Sequence, residues 1–358
     1  MSGGAAGNGL PEPAVARKPS GVTSSLVDRV RPPARLPALP TDLGLRWRAL
    51  VPDDLDALLV LVNRTEEADG LPYRHAREEL AELFDGDWKD PERDSLAGVD
   101  ADGALRAWAW VDQPPGDTGT LRVFLMGGVD PDWRGRGIGR AVLAWSHARG
   151  RQVAAARGRD VPVRLATFAD DTAPGVGRAL RASGLEPVRF YSEMRRSLAG
   201  DLPAVPALDG VRVVPWRDDL DEAVRVAHNE AFADHWGSEP RTPQQWLQRP
   251  MFAPGWSFVA LTQRDQVAGY LVSGRYEQDW ALTGVRSGYT ELLGVRRPWR
   301  GRGVAVALLV AAMRAYRDSG MEVAEIGVDT ANPTGAHGLY TRLGYEVHHG
   351  QTMFALTL

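Results

Sequence analysis

Two segments of the chain place arginine and glycine in a spacing that could hold a phosphate group. They read DWRGRGIGRAVL over residues 132–143 and PWRGRGVAVALL over residues 298–309. A glycine-rich turn at the start of a helix exposes backbone N–H groups at the positive end of the helix dipole, where phosphate is stabilised. Both segments lack the Lys-Ser/Thr pair of a nucleotide-triphosphate loop and the G-x-G-x-x-G spacing of dinucleotide folds. They therefore indicate a different phosphate-bearing ligand.

RNA binding and a purely structural turn are the alternatives for these two segments. Arg-Gly repeats bind RNA, although such repeats lie in low-complexity tails, whereas apolar segments flank both copies here. A structural turn would also use glycine. The net charge of -4 gives no electrostatic reason to expect nucleic acid as a partner.

Each loop follows a predicted apolar strand, and the second of these strands carries a candidate base. The strands read LRVFLMGGV over residues 121–129 and YTELLGV over residues 289–295. Because side chains alternate along a strand, Tyr289 and Glu291 should share a face with Leu293 and Val295. Burial would raise the pKa of Glu291, the single carboxylate of this strand, toward neutrality. An ion-paired or edge-facing carboxylate would account for Glu291 equally well.

The two loops belong to a duplicated unit. When Arg134 is aligned with Arg300, both halves show the same succession of strand, acid-started helix, strand meander, Arg-Gly loop and long helix. Residues 1–40 are rich in Gly, Pro and Ser, which predicts a disordered tail. We therefore predict an N-terminal domain over residues 41–199, a linker over 200–209 and a C-terminal domain over 210–358. Each domain is expected to be an α+β unit with a mixed, mainly antiparallel sheet flanked by helices.

Composition excludes several kinds of chemistry. The chain has no Cys, which excludes a cysteinyl nucleophile, thiolate metal ligands and disulfides, and its seven His show no paired-ligand spacing. Charged residues and glycines interrupt the apolar runs before they reach the length of a membrane-spanning helix, and no signal-peptide core follows the N-terminus. We expect a cytoplasmic protein without metal, nucleic-acid or membrane partners.

The second half resembles the GNAT superfamily of acyl-CoA-dependent N-acetyltransferases. An Arg-x-x-Gly-x-Ala loop, an Asn-Pro pair and a Leu-Tyr-x-x-Leu-Gly-Tyr segment carry the resemblance, namely Arg300, Gly303, Ala305, Asn332, Pro333, Leu339, Tyr340, Leu343, Gly344 and Tyr345. The resemblance covers residues 210–358 well and residues 43–197 in outline. It implies that acetyl-CoA is the cofactor and that its acetyl group passes to a primary amine by direct attack in a ternary complex.

The resemblance also implies roles for single residues. Backbone N–H groups of the loop would hold the pyrophosphate, and those near Leu293 the pantetheine and the thioester carbonyl. The implied coenzyme-binding residues are Leu293, Gly294, Val295, Arg300, Gly301, Arg302, Gly303, Val304, Ala305 and Asn332. Glu291 would be the general base and Tyr340 the general acid that protonates the departing thiolate. A core tyrosine is the alternative for Tyr340, and an N-cap, followed by Pro333 as the first helical residue, is the alternative for Asn332.

The first half retains the loop but lacks the matching chemical groups. Alignment places Leu125 opposite Glu291, Leu180 opposite Tyr340 and Thr172 opposite Asn332. We therefore predict that this half is catalytically silent. Whether it still holds coenzyme A stays open, and the residues that would do so are Val129, Arg134, Gly135, Arg136, Gly137, Ile138 and Gly139.

The acceptor is the least determined partner. The resemblance places acceptor recognition in the first helices and their loop, which contains Asp234, His235 and Trp236, and Tyr289 is a further candidate; a solvated helix with one anchoring Trp is the alternative. The tandem layout is similar to that of mycothiol synthases, which acetylate the cysteinyl amine of a small thiol precursor. A small-molecule or peptide amine, acetylated by a monomer, is the general expectation. A non-catalytic acyl-CoA-binding or regulatory protein would need neither Glu291 nor Tyr340.

Overall fold

The computed structural model describes residues 25–331 and 335–358. The helices in these ranges are α1 (Leu26–Val30), α2 (Leu55–Ala68), α3 (Arg77–Ala81), α4 (Pro91–Asp94), α5 (Ile138–Ala156), α6 (Pro174–Ala182), α7 (Asp221–Ala231), α8 (Pro243–Leu247), α9 (Glu277–Thr283), α10 (Val304–Asp318) and α11 (Ala336–Arg342). The strands are β1 (Arg46–Arg48), β2 (Ser95–Val99), β3 (Leu105–Asp112), β4 (Leu121–Val129), β5 (Val163–Asp170), β6 (Glu186–Ser197), β7 (Val211–Pro215), β8 (Phe258–Thr262), β9 (Val267–Gly274), β10 (Ser287–Val295), β11 (Val323–Asp329) and β12 (Glu346–Thr357).

The strands form one continuous sheet. Its order is β1-β2-β3-β4-β5-β12-β6-β11-β10-β9-β8-β7. Most neighbours are antiparallel, while β4 with β5 and β10 with β11 are parallel. The predicted fold class, two copies of a mixed and mainly antiparallel α+β unit, is confirmed.

The two halves exchange their last strands. β6 ends the first half, yet it pairs with β11 and β12 of the second half. β12 ends the second half, yet it pairs with β5 of the first half as well as with β6. The hydrogen bonds of each final strand therefore lie across the predicted domain boundary.

Helices cover both faces of the sheet. The apolar side chains of α10 recur with helical spacing, so that Leu308, Ala312 and Tyr316 pack against β9 and β11. α5 packs in the same way in the first half, where Val142 and Trp145 cover β4 and β5. On the opposite face α2 and α7 each cover a smaller cluster.

Part of the predicted disordered tail is ordered, and the predicted linker is packed. Residues 1–24 lie outside the described residues. α1 starts with a capping box between Ser25 and Asp28, and Leu26 and Val30 are buried in the cluster under α5. In the 200–209 segment, Leu202 and Leu208 pack against the cluster under α10. The few apolar residues of both segments are enough to bind them to a large core.

The helices of residues 25–331 and 335–358 are each too short or too polar to cross a lipid bilayer.

The strand exchange predicts that neither half folds alone. A fragment of residues 1–199 leaves both edges of β6 and one edge of β5 unpaired, which favours aggregation. We expect residues 1–199 and 200–358 to unfold without cooperativity when separate, and to form a one-to-one complex with a cooperative transition when co-expressed. Size-exclusion chromatography and thermal unfolding by circular dichroism measure this. Separate fragments that melt like the intact chain would show that β6 can pair with β5 instead.

Candidate active site

Both Arg-Gly loops have the backbone geometry of an anion site. Gly301 and Gly303 adopt positive φ angles of 71° and 79°, and Gly135 and Gly137 adopt 77° and 87°. Gly303 and Gly137 are the N-cap residues of α10 and α5, and neither helix start has a side-chain cap. The first N–H groups of these two long helices therefore stay available to a ligand.

The first arginine of each loop holds the loop itself. Arg300 donates from Nε to the Val295 carbonyl at 3.0 Å and from Nη2 to the Ala231 carbonyl at 2.8 Å. Arg134 donates in the same way to the Val129 carbonyl at 3.2 Å, and it pairs with Asp69 at 2.6 Å. These contacts hold each arginine against its own loop.

The 200–209 segment, which joins the two halves, packs against the second loop and not against the first. A Cβ atom at Gly303 would lie 2.6 Å from Cγ of Pro206, whereas a Cβ at Gly137 would meet no atom within 4 Å. The 200–209 segment thus lies beside the loop of the second half, where the sequence predicted only a linker.

The parallel strands of each half separate beside these loops. β10 pairs with β11 only as far as Thr290 and Ile326, although β10 continues to Val295. β4 likewise pairs with β5 only as far as Phe124 and Ala166. On the side of the gap, the backbone of Leu293 to Val295 has no strand partner and can bind an extended ligand arm.

A β-bulge distinguishes the second half from the first. The register of β10 with β9 shifts between Thr290 and Leu292, so Glu291 has no partner, whereas β4 pairs with β3 without a shift. Thr290 approaches Tyr316 of α10, and Leu293 also packs under α10. The expectation that Glu291 shares a face with Leu293 and Val295 was wrong, because the extra residue interrupts the alternation.

Glu291 lies on the face of the sheet opposite α10, in an area that residues of both halves border and that we call the cleft. The Tyr276 hydroxyl donates to Oε1 of Glu291, and both side chains lie over Gly274, where a Cβ would be 2.4 Å from Glu291 Oε1. Glu291 keeps solvent-accessible surface although many protein atoms surround it. Burial raises the pKa of the Glu291 carboxyl above its ordinary value, and the Tyr276 hydrogen bond opposes that change.

A second carboxylate, which the sequence did not predict, lies in the same cleft. The Tyr289 hydroxyl donates to Oε2 of Glu193, on β6, at 3.0 Å. The two groups meet over Gly327 of β11, where a Cβ would lie 2.8 Å from each. Burial raises the pKa of Glu193 to about 7, and the nearby carboxylates Glu325, Glu291 and Asp170 also raise it. In the sequence, Glu193 is the one acid of the segment RFYSEMRR, and nothing in that segment indicates that it would meet Tyr289.

Tyr340 occupies α11 and faces the cluster under α10. Its ring lies 5.9 Å from the ring of Tyr345 in an edge-on arrangement, and its hydroxyl has no hydrogen bond with another described residue. Burial raises the pKa of Tyr340 to about 12, so the phenol holds its proton at neutral pH. Gly344 ends this helix with a φ of 83°, as predicted. Asn332 and Pro333 lie outside the described residues, and the described part of the helix begins at Ala336.

Both halves supply the walls of the cleft. The backbone N–H of Arg74, in the first half, donates to Asp279 at 2.7 Å, and Gln278 donates to the Arg74 carbonyl at 3.1 Å. On the other wall, the Arg241 guanidinium lies near enough to Glu291 for each to affect the pKa of the other. The Arg241 guanidinium has no hydrogen-bond or ion-pair partner among the described residues. Its Cζ atom lies 5.9 Å from the centroid of the Trp246 ring.

Most of the residues predicted to bind the acceptor make other contacts. Asp234 pairs with Arg297 beside the second loop. Trp236 lies between the guanidinium groups of Arg164 and Arg189, at 4.2 and 4.4 Å from its ring centroid. The His235 ring lies 5.3 Å from that of Phe232. Of the four candidates, Tyr289 is the one that the structure places beside Glu291.

Two of the three corresponding positions of the first half lie in apolar clusters. Leu125, aligned with Glu291, is buried in the cluster under α5, and Leu180, aligned with Tyr340, is buried beside Leu185. Thr172 donates to Asp170 at 2.9 Å. The first half therefore has the same loop geometry and strand gap as the second, without an acid or a base at these positions.

Comparison with known proteins identifies related sequences and folds. Residues 221–345 match the Acetyltransferase (GNAT) family. A mycothiol acetyltransferase of Thermobifida fusca is 31% identical over 327 residues, covering 85% of this chain and 95% of the relative, and one of Nocardiopsis dassonvillei is 29% identical over 333 residues, covering 86% and 96%. A GCN5-related N-acetyltransferase from Sphaerobacter thermophilus superposes with a TM-score of 0.67 at 27% identity, covering 89% of this chain and 97% of that one. A tandem GNAT protein from the clavulanic acid biosynthesis pathway, at 19% identity and a TM-score of 0.61, covers 87% and 98% and shares the fold.

The contact at Pro206 predicts unequal effects of alanine in the two loops. A left-handed φ costs an alanine about 1 kcal/mol at Gly303 and at Gly137 alike. At Gly303 the new methyl group also collides with Pro206. We expect Gly303→Ala to lower the melting temperature more than Gly137→Ala in thermal unfolding. Equal losses would mean that the 200–209 segment does not lie on the loop.

Proposed function

Because the chain belongs to the GNAT family of acetyltransferases, we propose that its second half transfers the acetyl group of acetyl-CoA to the cysteinyl amine of a small thiol precursor. The bulged carboxylate Glu291, held by Tyr276 beside the gap between β10 and β11, is the observation that carries the proposal. A carboxylate with a raised pKa suits the removal of a proton from an amine near neutral pH.

The residues of the second half divide the chemistry among them. The backbone N–H groups from Arg300 to Ala305 bind the pyrophosphate, and those of Leu293 to Val295 bind the pantetheine and polarise the thioester carbonyl. Glu291 takes a proton from the attacking amine, directly or through water. Tyr340 donates its phenolic proton to the departing thiolate, for which the buried and unbonded hydroxyl is suited.

The loop of the first half and the residues beside it take no direct part in the proposed acetyl transfer. Leu125 and Leu180 cannot exchange protons, and both lie in apolar clusters. Its loop has the same backbone geometry as the second loop, so coenzyme binding by Val129 and residues 134–139 is a separate property that does not bear on turnover.

Three observations support the proposed acceptor and the proposed monomeric state. Relatives named mycothiol acetyltransferase match nearly the whole chain, which favours deacetylated mycothiol as the acceptor. The carboxylates and tyrosines of the cleft suit an amine, and the free donors of Arg241 suit the oxygen atoms of a polyol or an amide. The shared sheet pairs the final strands within one chain, which favours a monomer. We propose that this monomer acts in the cytoplasm.

Two substitutions test the proposed roles. Glu291→Gln and Tyr340→Phe should each lower kcat by roughly 10²- to 10⁴-fold, because each removes a group that exchanges a proton in the reaction. Gly137→Trp, which changes the first loop, should keep most of the turnover. The assay is mass spectrometry of the acetylated product, with deacetylated mycothiol first and then a panel of aminoglycosides, amino acids and peptides.

The opposite pattern, with activity lost in Gly137→Trp alone, would place the reaction in the first half. Acetyl-CoA binding by calorimetry without turnover of any amine in the panel would support a non-catalytic, acyl-CoA-binding protein.

Arg241→Met tests the acceptor wall. Loss of a charged donor should raise KM for the acceptor roughly tenfold or more, while KM for acetyl-CoA stays unchanged, because the Arg241 guanidinium lies near Glu291 and has no hydrogen bond with a described residue of the loop. Arg264→Met, at an exposed turn between β8 and β9, is the matched control. Steady-state kinetics measure both constants. A rise in KM for acetyl-CoA alone would assign Arg241 to the donor instead.

A further inference from the structure

The cleft contains two carboxylates with the same arrangement. Tyr276 donates to one oxygen of Glu291, and Tyr289 donates to one oxygen of Glu193. Oε1 of Glu193 accepts no hydrogen bond from a described residue, and neither does Oε2 of Glu291. Each carboxylate therefore keeps one oxygen for a ligand.

The two tyrosines join the carboxylates into one cluster. The rings of Tyr276 and Tyr289 lie 5.7 Å apart in an edge-on arrangement. Gly274 and Gly327 lie beneath the two carboxylates, and a side chain at either glycine would collide with the acid above it. Glu193 of β6, Tyr289 and Glu291 of β10, and Tyr276 at the start of α9 thus meet on one face of the sheet, over glycines that leave room for them.

Glu193 reaches this cluster because of the strand exchange. Its Cα partner on β11 is Gly327, and its partner on β12 is His349. Both of these strands belong to the second half, whereas Glu193 belongs to the first. The first half, which lacks an acid and a base beside its own loop, supplies an acid to the site of the other half.

We propose that Glu193 is a second carboxylate of the amine site and that it takes the first of two protons that the acceptor loses. This inference rests on the proposed function. A primary amine reaches the site mostly as an ammonium ion with three N–H protons, and the amide product keeps one. The first proton passes from the ammonium to Oε1 of Glu193, which leaves a neutral amine. The second passes to Glu291 as the new C–N bond forms and the C–S bond breaks.

The proton count of this scheme balances. Tyr340 supplies a proton to the thiolate and regains one from solvent, and both carboxylates return their protons to solvent, so one proton is released per acetyl group transferred. The titration of Glu193 is consistent with the first step, since burial raises its pKa to about 7. The ionisable groups that face it are Tyr289, Glu291, Glu325, Asp170, Tyr73 and the cross-strand neighbour His349.

The test is the pH profile of kcat/KM for Glu193→Gln. The acceptor is deacetylated mycothiol, or the best amine of the panel if that compound is not acetylated. We expect the wild-type kcat/KM to rise with pH through about 7, as Glu193 loses its proton. In Glu193→Gln this rise should move up to the pKa of the acceptor amine itself, about 8 for an α-amine, so that kcat/KM falls roughly fivefold at pH 7 and recovers at high pH. Glu291→Gln should stay slow at every pH.

Controls separate a chemical role from a structural one. Glu186→Gln, at the exposed start of β6, should keep the wild-type profile. Glu193→Gln should melt no lower than the wild type at pH 8, because a buried carboxyl with a raised pKa favours the unfolded state once it is charged. Tyr289→Phe should shift the profile in the same direction as Glu193→Gln, to a smaller extent.

The outcomes are distinguishable. An active wild type together with an unchanged profile in Glu193→Gln would overturn this inference and leave the proposed function intact. A uniform loss at all pH values, accompanied by a lower melting temperature, would also overturn it and assign Glu193 to the fold. No acetylation of any amine by the wild type would overturn both.

Discussion

The pairing of β6 with strands of the opposite half holds the molecule together and positions its site. Residues 191–195 of this strand pair with both β12 and β11, so each half is completed by a segment of the other. Hydrogen bonds of a sheet leave little freedom in register, because a slip by one residue would turn every side chain to the other face. This fixed register holds Glu193 opposite Gly327 and thereby brings a residue of the first half to the second.

Glycine sets the geometry of the cleft as much as the reactive side chains do. Gly294 leaves room for the Tyr270 ring, whose hydroxyl hydrogen-bonds to Nδ1 of His228 at 2.6 Å. Burial lowers the pKa of His228 to about 3, so this pair stays neutral beneath β10. Gly274 and Gly327 leave room for the two carboxylates in the same way. Small residues on the sheet thus decide where bulky groups from neighbouring elements can lie.

The duplicated halves differ by a local change in one strand. The extra residue in β10 interrupts its pairing and presents Glu291 to the cleft, whereas the regular pairing of β4 leaves Leu125 in the core under α5. A bulge alters side-chain direction with little effect on the remaining fold. The two copies therefore keep the same loop geometry and strand gap, while a carboxylate occupies this strand position in only one of them. The first half also contributes β6 to the sheet of the second half.

The local elements and the duplication could be predicted from the sequence alone. Positive-φ glycines at a helix start, the apolar repeat of α10 and the turn at Gly344 follow from short-range preferences that any part of a chain displays. The exchange of β6 and β12, the bulge at Glu291 and the meeting of Glu193 with Tyr289 emerged only in three dimensions. Each of these joins residues far apart in the chain, and pairing between distant strands depends on backbone hydrogen bonds that carry no residue-specific signal. Asp234 pairs with Arg297 of the same half, and packing between the halves places Trp236 between Arg164 and Arg189; neither contact could be predicted from residue type.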